Sequence, residues 1–209
     1  MSNMLRATVS VEGTRPLLWN HFGSDVISPD GKRKEKTGAA GNDPEEWRRT
    51  VLVTKQGQLY LQPTYVFATV RAAAKYTKKG LASIQPAVAA TLQVADGVVL
   101  VDRFMPGFPN GHEFNLKEAS PPATDDALPV YLDVRSVKNP GTKARNVRYR
   151  VAASLGWSLS FTLLWDRTIV NREQMEAVVS DAGQLVGLAD GRSIGFGRFK
   201  VNSFKAAEA

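Results

Sequence analysis

The sequence predicts an α+β fold in which two helices cover one face of an antiparallel sheet. Three observations carry that expectation. Residues 157–165 alternate Trp157, Leu159, Phe161, Leu163 and Trp165 with Ser158, Ser160 and Thr162, the period-2 pattern of a half-buried strand. Residues 171–186 repeat apolar side chains at helical spacing and stop at Gly187, as an amphipathic helix does. Strand patterns also stand at both ends of the chain, over 5–13 and about 198–204.

The bulk numbers fit one elaborated domain over 1–209. A chain of 209 residues with 43% hydrophobic residues can bury a proper core. It has no cysteine and two histidines, which excludes disulfides, thiolate-bound zinc, a cysteine nucleophile and a multi-histidine metal site. No cofactor is expected. No apolar run approaches the roughly 20 residues of a membrane span, and the first residues lack an apolar signal segment. The expectation is a soluble, cytoplasmic protein without a membrane partner. With 27 Lys+Arg against 20 Asp+Glu and a net charge of +7, a polyanionic partner is favoured, and the location of the charge decides whether one is bound.

Taken in order, residues 5–13 form the first strand, ending at Gly13. Residues about 19–50 are rich in Gly, Asp, Pro and Lys, with 29–36 the most polar piece, and read as an insertion. Residues 51–53 and 59–61 flank a turn at 55–57, a short hairpin. Pro63 then opens a helix over about 64–78, with Val66, Val70, Ala73 and Ala74 on its core side and Arg71, Lys75, Lys78 and Lys79 on a solvated side. Residues 98–101 suit a buried strand. Five prolines between 103 and 129 mark a second insertion. Residues 145–151 alternate Val147, Tyr149 and Val151 with Asn146, Arg148 and Arg150, giving a strand with a basic face, and this strand is expected to pair antiparallel with 157–165. Asn171, with Gln174 three residues on, is an N-cap signature; Met175, Val178, Val179, Ala182, Leu185 and Val186 form the buried stripe. A glycine loop and the last strand complete the chain. The skeleton is βαββαβ, the ferredoxin-like (RRM-like) arrangement, whose open sheet face is an RNA-recognition surface in several families.

Two segments carry a resemblance. Pro16-Leu-Leu-Trp19 follows the first strand, and Val186-Gly-Leu-Ala-Asp190 runs into Phe196-Gly-Arg-Phe199. By these two segments the chain looks like uncharacterised phage-type proteins. By the helix 171–186, the loop Gly187–Gly197 with its Gly195-Phe-Gly197 end and the last strand, it resembles the repeat-associated mysterious protein superfamily, the source of RNA-binding backbone subunits and some RNA-processing nucleases of CRISPR systems. The resemblance implies that the glycine loop packs on the ligand-binding side of the sheet, that a thumb-like hairpin inserts against a nucleic-acid chain, and that copies self-associate along it.

The thumb candidate is the hairpin 134–150, where Arg135, Lys138, Lys143, Arg145, Arg148 and Arg150 are accompanied by no acidic residue. These six are expected to contact phosphate, although positive charge also protects exposed strands from aggregation. Four glycines, Gly187, Gly191, Gly195 and Gly197, with Arg192 and Arg198, suit backbone approach to phosphate. Arg198 and Lys200 are expected to share the basic sheet face. The nucleic-acid-binding set is therefore Arg135, Lys138, Lys143, Arg145, Arg148, Arg150, Gly191, Arg192, Gly195, Gly197, Arg198 and Lys200.

Catalysis is not expected. His21 and His112 lie in the insertions without a second histidine or a triad spacing, Asp125-Asp126 and Glu45-Glu46 are isolated carboxylate pairs, and no metal-ligand cluster is visible. The glycine loop also lacks the Gly-Lys-Ser/Thr ending of a nucleotide-hydrolase loop. The expected function is a non-catalytic coat on single-stranded RNA or DNA that oligomerises along its ligand. A metal-independent endoribonuclease and a structural or inhibitory protein-binding module are the alternatives.

Overall fold

The computed structural model describes residues 3–21, 44–107, 128–138, 141 and 145–209. Among the described residues, eleven strands and four α-helices run in the order β1 (Met4–Gly13), β2 (Leu17–Leu18), α1 (Glu46–Thr50), β3 (Gln58–Leu61), α2 (Pro63–Ala73), β4 (Lys78–Lys79), β5 (Ala82–Ser83), α3 (Gln85–Thr91), β6 (Gln93–Val94), β7 (Val99–Phe104), β8 (Val130–Lys138), β9 (Arg145–Ala153), β10 (Ser158–Asp166), α4 (Arg172–Asp181) and β11 (Phe199–Glu208). The architecture is α+β, with antiparallel sheets and few helices. The main sheet has the order β11-β1-β10-β7-β3, and β6 joins the β7 side of β10.

Side-chain alternation sets the faces of this sheet. β1 and β10 pair from Met4↔Asp166 to Glu12↔Ser158, which puts Ala7, Val9 and Val11 on the same side as Trp157, Leu159, Phe161, Leu163 and Trp165. Each of these is at most 5% exposed. α2 and α4 close over that side, burying Val66, Val70 and Ala73 from one and Met175, Val178 and Val179 from the other. The expected cap is present: the Gln174 N–H donates to Asn171 Oδ1 at 2.8 Å, and the Asn171 N–H donates to Gln174 Oε1 at 3.1 Å. After α4 the chain takes a π-helical turn over Ala182–Val186. There Gly183 meets the last strand so closely that a Cβ would stand 2.2 Å from the Phe199 carbonyl oxygen.

Three expectations are corrected. First, 145–151 and 157–165 are neighbours in sequence but not in the sheet. β9 pairs with β8 over nine residue pairs, from Val130↔Ala153 to Lys138↔Arg145, and with β2, forming a separate sheet β2-β9-β8. The link between β9 and β10 crosses from one sheet to the other, tied to the end of β1 by Gly13 N–H to Trp157 O (2.7 Å) and Gly156 N–H to Gly13 O (2.8 Å). Both strands have partners elsewhere that match their alternation over a longer run. Second, α2 ends at Ala73, so Lys78 and Lys79 stand in the small β4–β5 hairpin and do not continue a helical stripe with Arg71. Third, the last strand runs to Glu208, well past 204.

The β8–β9 strand pair has a buried base and a more exposed outer part. Val130–Asp133 and Arg150–Ala153 are buried, whereas Ser136 to Lys138 and Arg145 to Tyr149 are half-buried or exposed. One side of its base joins the main core through Val130, Leu132, Val151 and Ala153. The other side carries a small cluster of Leu18, Tyr131, Ala152 and Phe196.

Candidate functional site

The glycine loop is pinned to the segment after β1. Asp190 N–H donates to Leu18 O (3.1 Å), Gly197 N–H to Pro16 O (2.7 Å), and the Arg198 carbonyl accepts from Thr14 and Arg15 N–H (2.8 and 3.2 Å). The two segments that carry the sequence resemblance are thus hydrogen-bonded to each other. The loop also closes on itself through Leu188 N–H to Gly197 O at 2.9 Å. At Gly197, with φ +68°, a Cβ would lie 2.0 Å from the Leu188 carbonyl oxygen. Glycine is required there for the loop's own closure.

Closure of the loop places Phe196 on the outer side of the small sheet and opens a cleft beside it. The cleft has a volume of about 910 Å³ and lies between the end of α2, the outer part of β8 and the turn Asp190–Ile194. It is lined by the cations Lys75, Arg135, Lys138, Arg150, Arg192 and Arg198, and by one carboxylate, Asp190. Four large apolar side chains on its walls face solvent: Tyr76, Val137, Leu185 and Ile194.

The back of the cleft is held rigidly. Asp133, fully buried, accepts from Arg135 Nε at 2.6 and 2.9 Å. Directly across the strand pair, Arg150 lies 3.6 Å from the same carboxylate and donates to Asp190 Oδ2 at 2.7 Å. The Arg135 guanidinium stacks on the Phe196 ring at 4.6 Å, a cation–π contact that fixes its plane. Arg150 Nε and Arg198 Nη1 are buried donors with no partner among the described residues. Beneath them Tyr131 has its phenol pushed up to about 12, first by burial and then by the Asp133 charge, with Arg135 opposing. Burial also raises the phenol of Tyr65, and Asp190 adds to that shift.

Half of the expected binding residues meet in this cleft: Arg135, Lys138, Arg150, Gly191, Arg192 and Arg198. Arg145, Arg148, Gly195, Gly197 and Lys200 do not line it, and Lys143 lies outside the described residues. Arg148 forms an ion pair with Glu46 and donates to Asn20 Oδ1. Lys200 lies on the open face of the main sheet, 3.0 Å from Glu12, whose carboxyl is held below its usual range by hydrogen bonds from Lys200 and Asn202. The expectation that Arg198 and Lys200 share a sheet face with the basic strand 145–151 is therefore corrected: β9 belongs to the second sheet, and the open face carries hydroxyls on its central strands, with Ser10 and Ser160 Oγ atoms 2.9 Å apart. Lys75, Tyr76, Val137, Leu185 and Ile194 were not anticipated as cleft residues. Only the Lys75-Tyr76 pair just past α2 offered a signal.

His21 does not line the cleft, and its backbone N–H donates to the Thr50 carbonyl at 2.8 Å; His112 lies outside the described residues. Among the described residues no three His, Asp or Glu side chains gather as metal ligands, and no helix is long and apolar enough to cross a membrane.

No family model matches the chain, and no curated protein does. Among solved structures it is similar to a chain in a cryo-EM structure of the Type III-B Cmr-beta bound to cognate target RNA, at 14% identity and a TM-score of 0.48. That match covers 98% of this chain and 61% of the other, so this chain spans about three-fifths of its neighbour's length.

Proposed function

We propose that this chain is a non-catalytic, single-strand nucleic-acid-binding protein that holds RNA or single-stranded DNA in the cleft between α2, β8 and the glycine loop. The composition of that cleft carries the reading. Six cations against one carboxylate suit a phosphate backbone, and the four exposed apolar side chains interleaved with them suit bases. A small neutral ligand has no need of six cations, and an acidic protein surface has little use for Tyr76 and Ile194 together.

The strand order supports a ferredoxin-like core as its frame. Counting β1, α2, β7, β10, α4 and β11 as βαββαβ, the sheet order β11-β1-β10-β7 is 4-1-3-2 with every neighbour antiparallel, as that arrangement requires. The ligand site lies off the sheet, where the β8–β9 hairpin rises as a thumb from a single elaborated domain. In this reading the chain is a member of the repeat-associated mysterious protein superfamily that associates with further copies along a strand.

Fluorescence anisotropy with labelled strands of about 30 nucleotides, long enough to span a multi-nucleotide site, tests the proposal. Single-stranded RNA or DNA is expected to bind in a salt-sensitive manner and duplex DNA more weakly, and Arg192→Ala with Lys138→Ala is expected to weaken binding. Absence of binding to all three polymers at low salt overturns it.

A further inference from the structure

We infer that Tyr76 is a base-stacking platform on the wall of the cleft, and that this contact makes the cleft prefer single strands to duplexes; the inference rests on the nucleic-acid reading above. Tyr76 sits just past α2, where its N–H donates to the Ala73 carbonyl at 2.9 Å and fixes the backbone that carries the ring. The ring lines the cleft and is 46% exposed. A soluble fold ordinarily turns so large an aromatic inward or hydrogen-bonds it at an interface. The Lys75 ammonium lies 4.7 Å from the ring centroid. A cation on a ring is attracted by its negative face, so Lys75 orients the phenol and brings a positive charge to a ring that faces the cleft.

Ile194, 62% exposed, and Leu185 and Val137 complete an apolar wall around a basic floor. Phosphate satisfies the floor but gains nothing from the wall. A flat, apolar, polarisable group does, and a nucleic acid provides one in every base. In a duplex those faces are stacked on each other and unavailable, whereas an unpaired strand offers them. The residue that selects for single strands is therefore an aromatic at a helix end, outside both basic segments.

The test compares a thymidine homopolymer with an abasic deoxyribose-phosphate strand of equal length, for the native protein and for Tyr76→Ala and Tyr76→Phe. Native protein is expected to favour the base-bearing strand. Tyr76→Ala is expected to lose about tenfold in affinity for it and nothing for the abasic strand, while Tyr76→Phe keeps the preference. The dependence on salt stays the same in all three, because no charge changes. Equal native affinity for both strands, or an undiminished preference in Tyr76→Ala, overturns the stacking assignment while leaving nucleic-acid binding intact. Binding of neither strand overturns the stacking assignment, and absence of binding to single-stranded RNA as well removes the nucleic-acid reading with it.

Discussion

At the scale of single residues the chain spends its charge in two ways. Arg148 and Arg150 were legible as a basic strand face and Arg135 as part of the basic hairpin, but their partners were not. Asp133 stands two residues before Arg135 on the same strand, but Asp190 lies in the glycine loop and Glu46 in α1, and no local pattern links Arg150 and Arg148 to positions so far apart. Arg135 and Arg150 shape the back of the cleft, and Arg150 in particular is buried against two carboxylates, where loss of a partner is expensive. Tyr131 occupies the same region with a buried hydroxyl that has no partner among the described residues. An unsatisfied buried hydroxyl costs on the order of 1 kcal/mol or more, so Tyr131→Phe is expected to stabilise the protein by about 1 kcal/mol in urea denaturation. The pH dependence follows from the phenol, which is pushed up to about 12 from an ordinary value of 10.0. Above pH 10 the unfolded chain releases a proton that the native state retains, so stability falls as pH rises, by up to about 1.4 kcal/mol per pH unit from this group. Unfolding measured from pH 9 to 12 should decline less steeply in Tyr131→Phe. Parallel declines for the two proteins would mean that the phenol is not held neutral by its surroundings.

Among the elements, those whose instructions are local were readable. The strict alternation of 157–165 became β10 and the residue before it, with Trp157, Leu159, Phe161, Leu163 and Trp165 buried, and the Asn171 cap opened α4 where its side-chain chemistry demands. The pairing of β9 and β10 was misread because strand partners depend on which other strands reach them, and both β8 and β1 offered longer matching registers. The glycine loop was legible as a loop, while the purpose of each glycine was hidden in contacts across the fold. Gly197 and Gly195 separate the two purposes. Both have positive φ, but a Cβ at Gly197 would collide with the Leu188 backbone, whereas at Gly195 it would meet nothing within 4 Å. Gly195→Ala should cost only the left-handed conformation, about 1 kcal/mol, and Gly197→Ala clearly more, about 3 kcal/mol or above, because the loop must open. Urea unfolding of both variants checks this; equal losses would show that closure of the loop is not what position 197 serves.

In the whole molecule the cleft exists only because three remote pieces of chain converge, and for that reason its composition could not be read from any one of them. The helix end provides Lys75, the hairpin Lys138 and the glycine loop Arg192. Among the described residues none of these three has a carboxylate partner, in contrast to Arg135 and Arg150. Each is therefore available to replace a counterion on a bound strand, and the linkage is quantitative: each phosphate neutralised on a single strand contributes about 0.7 to the slope of log affinity against log salt. Replacing all three by alanine is expected to flatten that slope by about 2. Lys200→Ala, which removes one charge from the open sheet face on the other side of β1 from the helices, provides the comparison, since its ammonium is paired with Glu12 away from the cleft. Its slope should match that of the native protein. If Lys200→Ala and a single cleft substitution such as Lys138→Ala flatten the slope equally, binding follows the total charge of the molecule and the cleft has no privileged role. A change confined to the cleft variants locates the phosphate path between α2, the hairpin and the loop.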